Sequence, residues 1–280
     1  MSIATFVAIY EFTKDLAHTS SKLATLTSLV VTSTPIFAGT YTYFSLDFGV
    51  PCLFYILLCF YTKKCFLLTG MFAIILTLTK EPVGIILVAG IITYNFFKNL
   101  QKKTNIKNIF LNFFRDYSNY IFGIAIIFCL LGFVLIHLNF DVSLGVTKQS
   151  ESTIGYFDIN IPYIRIKTQQ LLFVNFSWLF LLISLILSGY AIITHKCINP
   201  YLWVSLIGPL LYTLFMYIYY TYAIPRYNMI IYMTIIFVAC YLILTVMSNT
   251  IFKSITLISM FLLLLCQTYF NIDFLMLRTF

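Results

Sequence analysis

The chain has little charge. Lys, Arg, Asp and Glu make up 9% of its 280 residues, where a soluble domain carries about a quarter. It also lacks the short signatures of several common chemistries. There is no Gly-rich phosphate loop, no zinc-ligand spacing and no HExxH, so nucleotide-binding and zinc-protease readings have nothing to start from. The seven cysteines (52, 59, 65, 129, 197, 240 and 266) form no CxxC pair and read as small apolar residues. The N-terminus has no basic n-region and no A-x-A-like cleavage site, which excludes a typical signal peptide.

What fills the chain is apolar sequence. Hydrophobic residues reach 61% and the mean hydropathy is +0.96. Long apolar runs recur from one end to the other, as in a polytopic membrane protein. Lipid cannot satisfy backbone polar groups, so a spanning segment is either a helix or a barrel strand. The runs are long and do not alternate, which favours helices. The expected fold is an all-α transmembrane bundle, forming a single integral-membrane domain over 1–280. Within it, 1–137 is one helical half, 138–169 an extracytoplasmic loop and 170–280 the C-terminal helices.

Nine full spans are predicted, over 23–42, 46–62, 65–79, 82–98, 119–137, 170–194, 200–222, 227–248 and 254–272. Ser2 to Phe12 is apolar but far short of the roughly 20 residues a span needs. It reads as the second half of a helix whose beginning is absent. The third span would cover only about 23 Å at 1.5 Å per residue, with Lys63, Lys64 and Lys80 snorkelling to extend it.

The net charge of +8 is explained by loops rather than by a nucleic-acid partner. If the segment 13–22 is cytoplasmic, eleven of the 17 basic residues fall in short inner loops and six outside, as the positive-inside rule expects. The segment 98–118 is the most basic, with Lys98, Lys102, Lys103, Lys107 and Arg115. Ile106, Ile109, Phe110 and Phe113 share one helical face there, which suits a piece lying on the membrane surface. This assignment sends most acids outside: Asp47, Glu81, Asp141, Glu151, Asp158 and Asp273. The expected location is the plasma membrane, with the functional face outward.

Several outer residues are candidates for chemistry, and each has an ordinary explanation beside it. Lys80-Glu81-Pro82 sits between two apolar runs. Lys80 suits the negative end of one helix, while Glu81 and Pro82 suit the first turn of the next. The functional reading is a lysine meeting an anionic phosphate, with Glu81 orienting it or contacting sugar hydroxyls. Asp47 opens a span, either as a dipole partner or as a carboxylate holding a sugar hydroxyl or a divalent metal. Arg226-Tyr227 opens another, either as an interfacial pair within a Tyr-rich belt or as a phosphate fork beside a stacking ring. His137 reads as an interfacial residue. Asn175 and Gln267 read as hydrogen-bond partners between helices. The loop 138–169 has the mixed aromatic and charged composition of a cover over a cleft.

Together these residues resemble the GT-C membrane glycosyltransferases of the protein mannosyltransferase and aminoarabinose transferase type. Asp47 opens a span, and about 33 residues later Lys80-Glu81 closes the next. Pro35 lies within the span upstream, and Arg226-Tyr227 opens a late span on the same face. The run Leu76-Thr77-Leu78-Thr79-Lys80-Glu81 is similar to that family's most recognisable segment. The resemblance implies a GT-C-like bundle binding a polyprenyl-phosphate sugar, and transfer of that sugar to an acceptor glycan, lipid or protein outside the cytoplasm. It implies that Lys80 and Arg226 stabilise the leaving lipid phosphate, with Glu81 and Tyr227 at the donor. The family places an acid in its first outer loop, and this chain is expected to start after that loop. The catalytic base would then be absent unless Asp47 or Glu81 takes its place. The competing expectations are a transporter or flippase of lipid-linked sugar, and an inactive truncated copy serving as a membrane scaffold.

Overall fold

A computed structural model describes residues 2–40, 46–79, 83–100, 111–113, 115–140, 161–173, 177–219 and 228–277. Every long element in these residues is a helix. In chain order they are α1 (Ser2–Ala17), α2 (Ser21–Thr32), α3 (Pro35–Thr40), α4 (Leu46–Thr62), α5 (Phe66–Thr79) and α6 (Val83–Leu100). There follow α7 (Tyr117–Phe140), α8 (Ile161–Phe173), α9 (Ser177–Ile193), α10 (Tyr201–Tyr219), α11 (Met229–Val246) and α12 (Thr250–Leu277).

The bundle is built around α11. Sixteen of its 18 residues are buried, and α1, α2, α4, α9, α10 and α12 all pack against it. Its sequence has no polar face to turn outward, and a helix apolar all round belongs inside a bundle or a membrane. Phe237 stacks on Phe12 with ring centroids 5.3 Å apart, and Tyr55 meets it edge-on at 5.8 Å. The outer helices expose apolar stripes at helical spacing. On α7 these are Tyr120, Ile124, Ile127, Phe128 and Leu131; on α12, Ile251, Ile255, Ile258, Leu262 and Leu265. Such stripes suit lipid and would be a liability in water.

Four helical segments are long and apolar enough to cross a membrane: Val83–Leu100, Tyr201–Ile218, Met229–Val246 and Thr250–Thr268. The pair α8–α9, bent by 72°, would make a fifth if it is one broken span. The protein is therefore an all-helical integral membrane protein, and the nine full-length spans expected are not what the described residues show. The segment 23–42 divides into α2 and α3, because Pro35 has no N–H to carry the ladder across Ser33-Thr34. The helices α4 and α5, with 17 and 14 residues, fall short of a hydrocarbon core of about 30 Å at 1.5 Å per residue.

Two loops were misplaced by the sequence reading. Helix α1 continues to Ala17, so the expected loop at 13–22 shrinks to a short turn. Lys14 and Asp15, which read as loop, lie with Glu11 on one face of α1, while Phe12, Thr13 and Leu16 are buried on the other. The loop 138–169 loses both its ends, since α7 runs to Phe140 and α8 starts at Ile161 with Pro162 in its first turn, where proline is tolerated. Most of the expected surface piece (101–110 and 114) lies outside the described residues.

Close backbone approach fixes two helix contacts. A Cβ added at Gly90 on α6 would lie 2.3 Å from the Gly208 Cα on α10. One added at Gly84 would lie 2.1 Å from the Leu76 carbonyl oxygen of α5. Small residues of this kind let membrane helices pack through their backbones.

One end of the bundle collects polar contacts. There α1, α4, α6, α9 and α11 finish, and α2, α5, α7, α10 and α12 begin. The Tyr61 hydroxyl donates to Asn95 Oδ1 at 2.8 Å, and Asn95 Nδ2 donates to Asn119 Oδ1 at 2.7 Å and Ser118 Oγ at 3.3 Å. Ser118 Oγ in turn donates to Asp116 Oδ1 at 2.6 Å. Asn199 Nδ2 donates to the Leu16 carbonyl at 3.1 Å. Lys196 donates to the Val246 carbonyl, and Lys253 donates to the Leu244 carbonyl at 2.6 Å. These two lysines cap the last turn of α11, whose final carbonyls have no partners within the helix. Lys63 Nζ pairs with Glu11 Oε2 at 2.5 Å and approaches Asp15 Oδ2 at 3.9 Å.

Two outcomes follow for stability in detergent. Gly90→Val should lower the melting temperature substantially, by at least the roughly 1–3 kcal/mol typical of overpacking, because backbone rather than a flexible side chain stands in the way. Gly189→Ala, with nothing within 4 Å of the added Cβ, should hold or raise it. The second outcome concerns pH. The hydrogen bond to Lys63 holds the Glu11 carboxyl below its usual range, and that to Glu11 holds the Lys63 ammonium above its own. The pair's contribution is therefore present between the ordinary glutamate and lysine values of 4.5 and 10.5. It fades as pH falls through the lowered glutamate value or rises through the raised lysine value. Glu11→Gln should cost under about 1 kcal/mol at neutral pH, as an exposed pair does, and the gap from the parent should close in acid.

Candidate functional site

The end opposite the basic one is where the sequence places its candidates. Tyr61 near the end of α4 meets Tyr201 at the start of α10, with ring centroids 5.9 Å apart. The start of α4 and the end of α10 therefore share the far end. There a Cβ at Gly49, in the first turn of α4, would lie 3.5 Å from Thr79 Cγ2 at the end of α5. Gly84 in the first turn of α6 backs onto Leu76 in the last turn of α5. The helix ends that flank 80–82, those that flank 220–227, and the turn of α4 bearing Asp47 thus gather at one end. Lys80, Glu81, Arg226 and Tyr227 themselves lie outside the described residues. Asp47 and His137 lie on described helical backbone, but their side chains lie outside the described part, and Asn175 lies outside it entirely.

The described chemistry at this end centres on Lys167, a residue the sequence reading treated only as part of a loop. It lies on α8 and is 3% exposed. Its ammonium donates to the Met216 carbonyl of α10 at 2.8 Å. Met216 falls in the last turn of α10, where carbonyls lack intrahelical partners, so Lys167 acts as a cap and suits the negative end of that helix. Beside it, the Tyr217 hydroxyl donates to Thr168 Oγ1 at 3.2 Å and the Tyr232 hydroxyl donates to the Gln170 carbonyl at 3.0 Å. These contacts tie α8 to α10 and α11. The local sequence, with Arg165 two residues before it, carries no signal that singles Lys167 out.

Asn228 stands at the head of α11, directly after Arg226-Tyr227. It is 5% exposed, and its Oδ1 has no hydrogen-bond partner among the described residues. It does not cap α11 with its side chain. A buried amide with unused acceptor capacity next to an Arg-Tyr pair could receive a sugar hydroxyl. The N-termini of α4, α6 and α11 also face this end, and their dipoles favour an anion there.

Other expectations fare differently. Gln267 is buried on α12, but its Oε1 has no partner among the described residues, so it does not make the expected bond between helices through that atom. Its neighbour Thr268 does, with Oγ1 donating to the Ser33 carbonyl at 3.3 Å. No group of three or more His, Cys, Asp or Glu that could hold a metal occurs among the described residues, and the described cysteines are all free thiols.

No known protein family, characterised protein or solved structure matches this chain.

Lys167 can be tested as a buried cation. Lys167→Met keeps the apolar stem and should leave the melting temperature within a few degrees. Lys167→Glu would set a buried carboxylate against the Met216 carbonyl and should cost about 3–5 kcal/mol, the range for an uncompensated buried charge. Thermal unfolding of the two purified variants checks this.

Proposed function

We propose that this protein is a GT-C-like membrane glycosyltransferase that takes a sugar from a polyprenyl-phosphate donor. The acceptor is a glycan, lipid or protein, and the working end is the one opposite the basic end, facing out of the plasma membrane. One observation carries the reading. In a chain that spends charge sparingly, the helix ends flanking Lys80-Glu81 and Arg226-Tyr227, the α4 turn bearing Asp47, and the buried Lys167 gather at one end.

The chemistry asks for such a set. The bond between the anomeric carbon and the lipid phosphate breaks, and the phosphate leaves with the electron pair. Lys80 and Arg226 would stabilise the developing phosphate charge, with Lys167 behind them. The acceptor hydroxyl forms the new bond to the anomeric carbon and gives up its proton to Asp47 or Glu81. Tyr227 would stack on the sugar, and the Asn228 amide would accept from one of its hydroxyls.

A second reading has its own support. The 72° bend between α8 and α9 and the break of α2–α3 at Pro35 are features of transporters, which carry substrates past broken helices. A flippase of lipid-linked sugar would use the same cations to hold the phosphate without cutting the bond.

The experiment is reconstitution of the full chain in proteoliposomes with a hexosyl polyprenyl phosphate and a hydroxyl-bearing acceptor. Sugar transfer and release of polyprenyl phosphate are expected. Lys80→Ala or Arg226→Ala should cut the rate about 100-fold or more with the melting temperature retained. Movement of the lipid-linked sugar across the bilayer with no new glycosidic bond would replace the enzyme by the flippase. Neither activity would leave a membrane scaffold.

A further inference from the structure

We infer that the basic end of the bundle is a docking surface for anionic phospholipid headgroups. The observation behind it is backbone geometry. Among the described residues, three that are not glycine have a positive φ: His18 at 46°, Lys64 at 55° and His195 at 52°. Each lies one or two residues beyond the end of a helix, after α1, α4 and α9. This left-handed position ordinarily belongs to Gly or Asn, because a Cβ crowds the backbone there. Here all three positions hold basic residue types, and all three lie at the same end.

Contacts bring the three turns together. Lys63, next to Lys64, reaches Glu11 and Asp15 on the last turns of α1, which end just before His18. Asn199, four residues beyond His195, donates to the Leu16 carbonyl of α1. The three side chains are exposed, and none of them makes a hydrogen bond or ion pair among the described residues.

An ordinary explanation for a cation at a helix C-terminus is the helix dipole. It does not require the left-handed position. Lys196 and Lys253 satisfy the end of α11 by reaching its carbonyls directly, and neither has a positive φ. Strained residues kept at an exposed face without a partner in the fold point to a partner outside it.

The chemistry of that partner is read from the surroundings. Exposed Lys14, Lys22, Lys98, Arg115 and Lys196 share this end. The described charges at this end are eight basic (Lys63, Lys64 and Lys253 with those five) against three acidic, Glu11, Asp15 and Asp116, and Lys63 already lies beside the first two. The surface is therefore basic after its internal pairs are made. A row of exposed interfacial aromatics lies within the adjoining helix turns: Tyr117, Tyr120, Tyr190 and Trp203 are 50–63% exposed. Such residues mark the boundary between lipid and water. The three turns lie at the helix ends beyond these aromatics, which would bring them to headgroup phosphates, where basic residues gain from anionic lipid.

The test uses the full chain in phosphatidylcholine nanodiscs with or without phosphatidylglycerol, and measures the preference for the anionic lipid by competition with a fluorescent phosphatidylglycerol. The variant H18N/K64N/H195N keeps residues that tolerate the left-handed conformation while removing the basic groups. It should lose the preference about fivefold or more with an unchanged melting temperature in phosphatidylcholine. The variant H18G/K64G/H195G should lose it equally while melting at the same or a higher temperature, which separates lipid binding from folding. An unchanged preference in either folded variant, or a parent protein that does not distinguish the two lipids, would overturn the inference. So would displacement of the lipid probe by soluble glycerol phosphate at the same concentration.

Discussion

Everything else in this structure is arranged around the burial of α11 on all sides. A helix of Met, Ile, Tyr, Phe, Val and Leu with no polar stripe has no stable place at a water-facing surface. Six other helices close around it, and their remaining faces need only match lipid. That division sets which helices can be short. Helix α4 is buried along most of its length and so can be shorter than the hydrocarbon around it, whereas α5 exposes Leu67, Met71, Ile75 and Leu78 as an apolar stripe. The faces of α7 and α12 that meet lipid are apolar at every exposed turn described.

The second constraint is the end of each helix. Inside a bilayer the last carbonyls of a helix have no water to turn to, and this chain answers with lysine. Lys196 and Lys253 reach the end of α11, and Lys167 reaches the end of α10. A lysine has the length to cross from one helix to the next and the charge to suit a helix C-terminus. Three of the chain's 17 basic residues are thus committed to helix ends before any ligand is considered. Those without a side-chain partner among the described residues are the informative ones, which is why His18, Lys64 and His195 carry more weight than a raw charge count.

The sequence revealed the fold class and the rough positions of most helices, because apolar runs in a membrane protein are set by one strong term, the transfer of side chains to lipid. It did not reveal the number of full spans. Pro35 was visible, but whether it kinks or divides a helix depends on what packs beside the break, here α12 with Thr268 on the Ser33 carbonyl. The extension of α1 was hidden because Lys14 and Asp15 look like loop until Lys63, far along the chain, is brought beside Glu11 and Asp15. Lys167 was hidden for a similar reason. Its role depends on the end of α10, and nothing local in Ile161 to Phe173 announces it. The glycines at 90 and 208 could not be paired from sequence, since their meaning lies in a backbone contact between helices distant in the chain.

The two ends of the bundle differ in how their polar groups are used, and that difference bears on where function sits. At the basic end Tyr61, Asn95, Ser118, Asn119 and Asp116 satisfy one another in a closed chain across α4, α6 and α7. A buried network of this kind rigidifies what it joins, while the Tyr94 hydroxyl beside it has no partner among the described residues. At the other end the described polar groups join α8 to α10 and α11, and Asn228 Oδ1 has no partner among the described residues. The helix α8 meets α9 at a 72° bend, so the polar contacts there hold together elements that a straight span would not need. In the proposed reaction, candidates that lie between helices in the sequence would meet a lipid-borne phosphate at the membrane surface without an unpaired charge in the core.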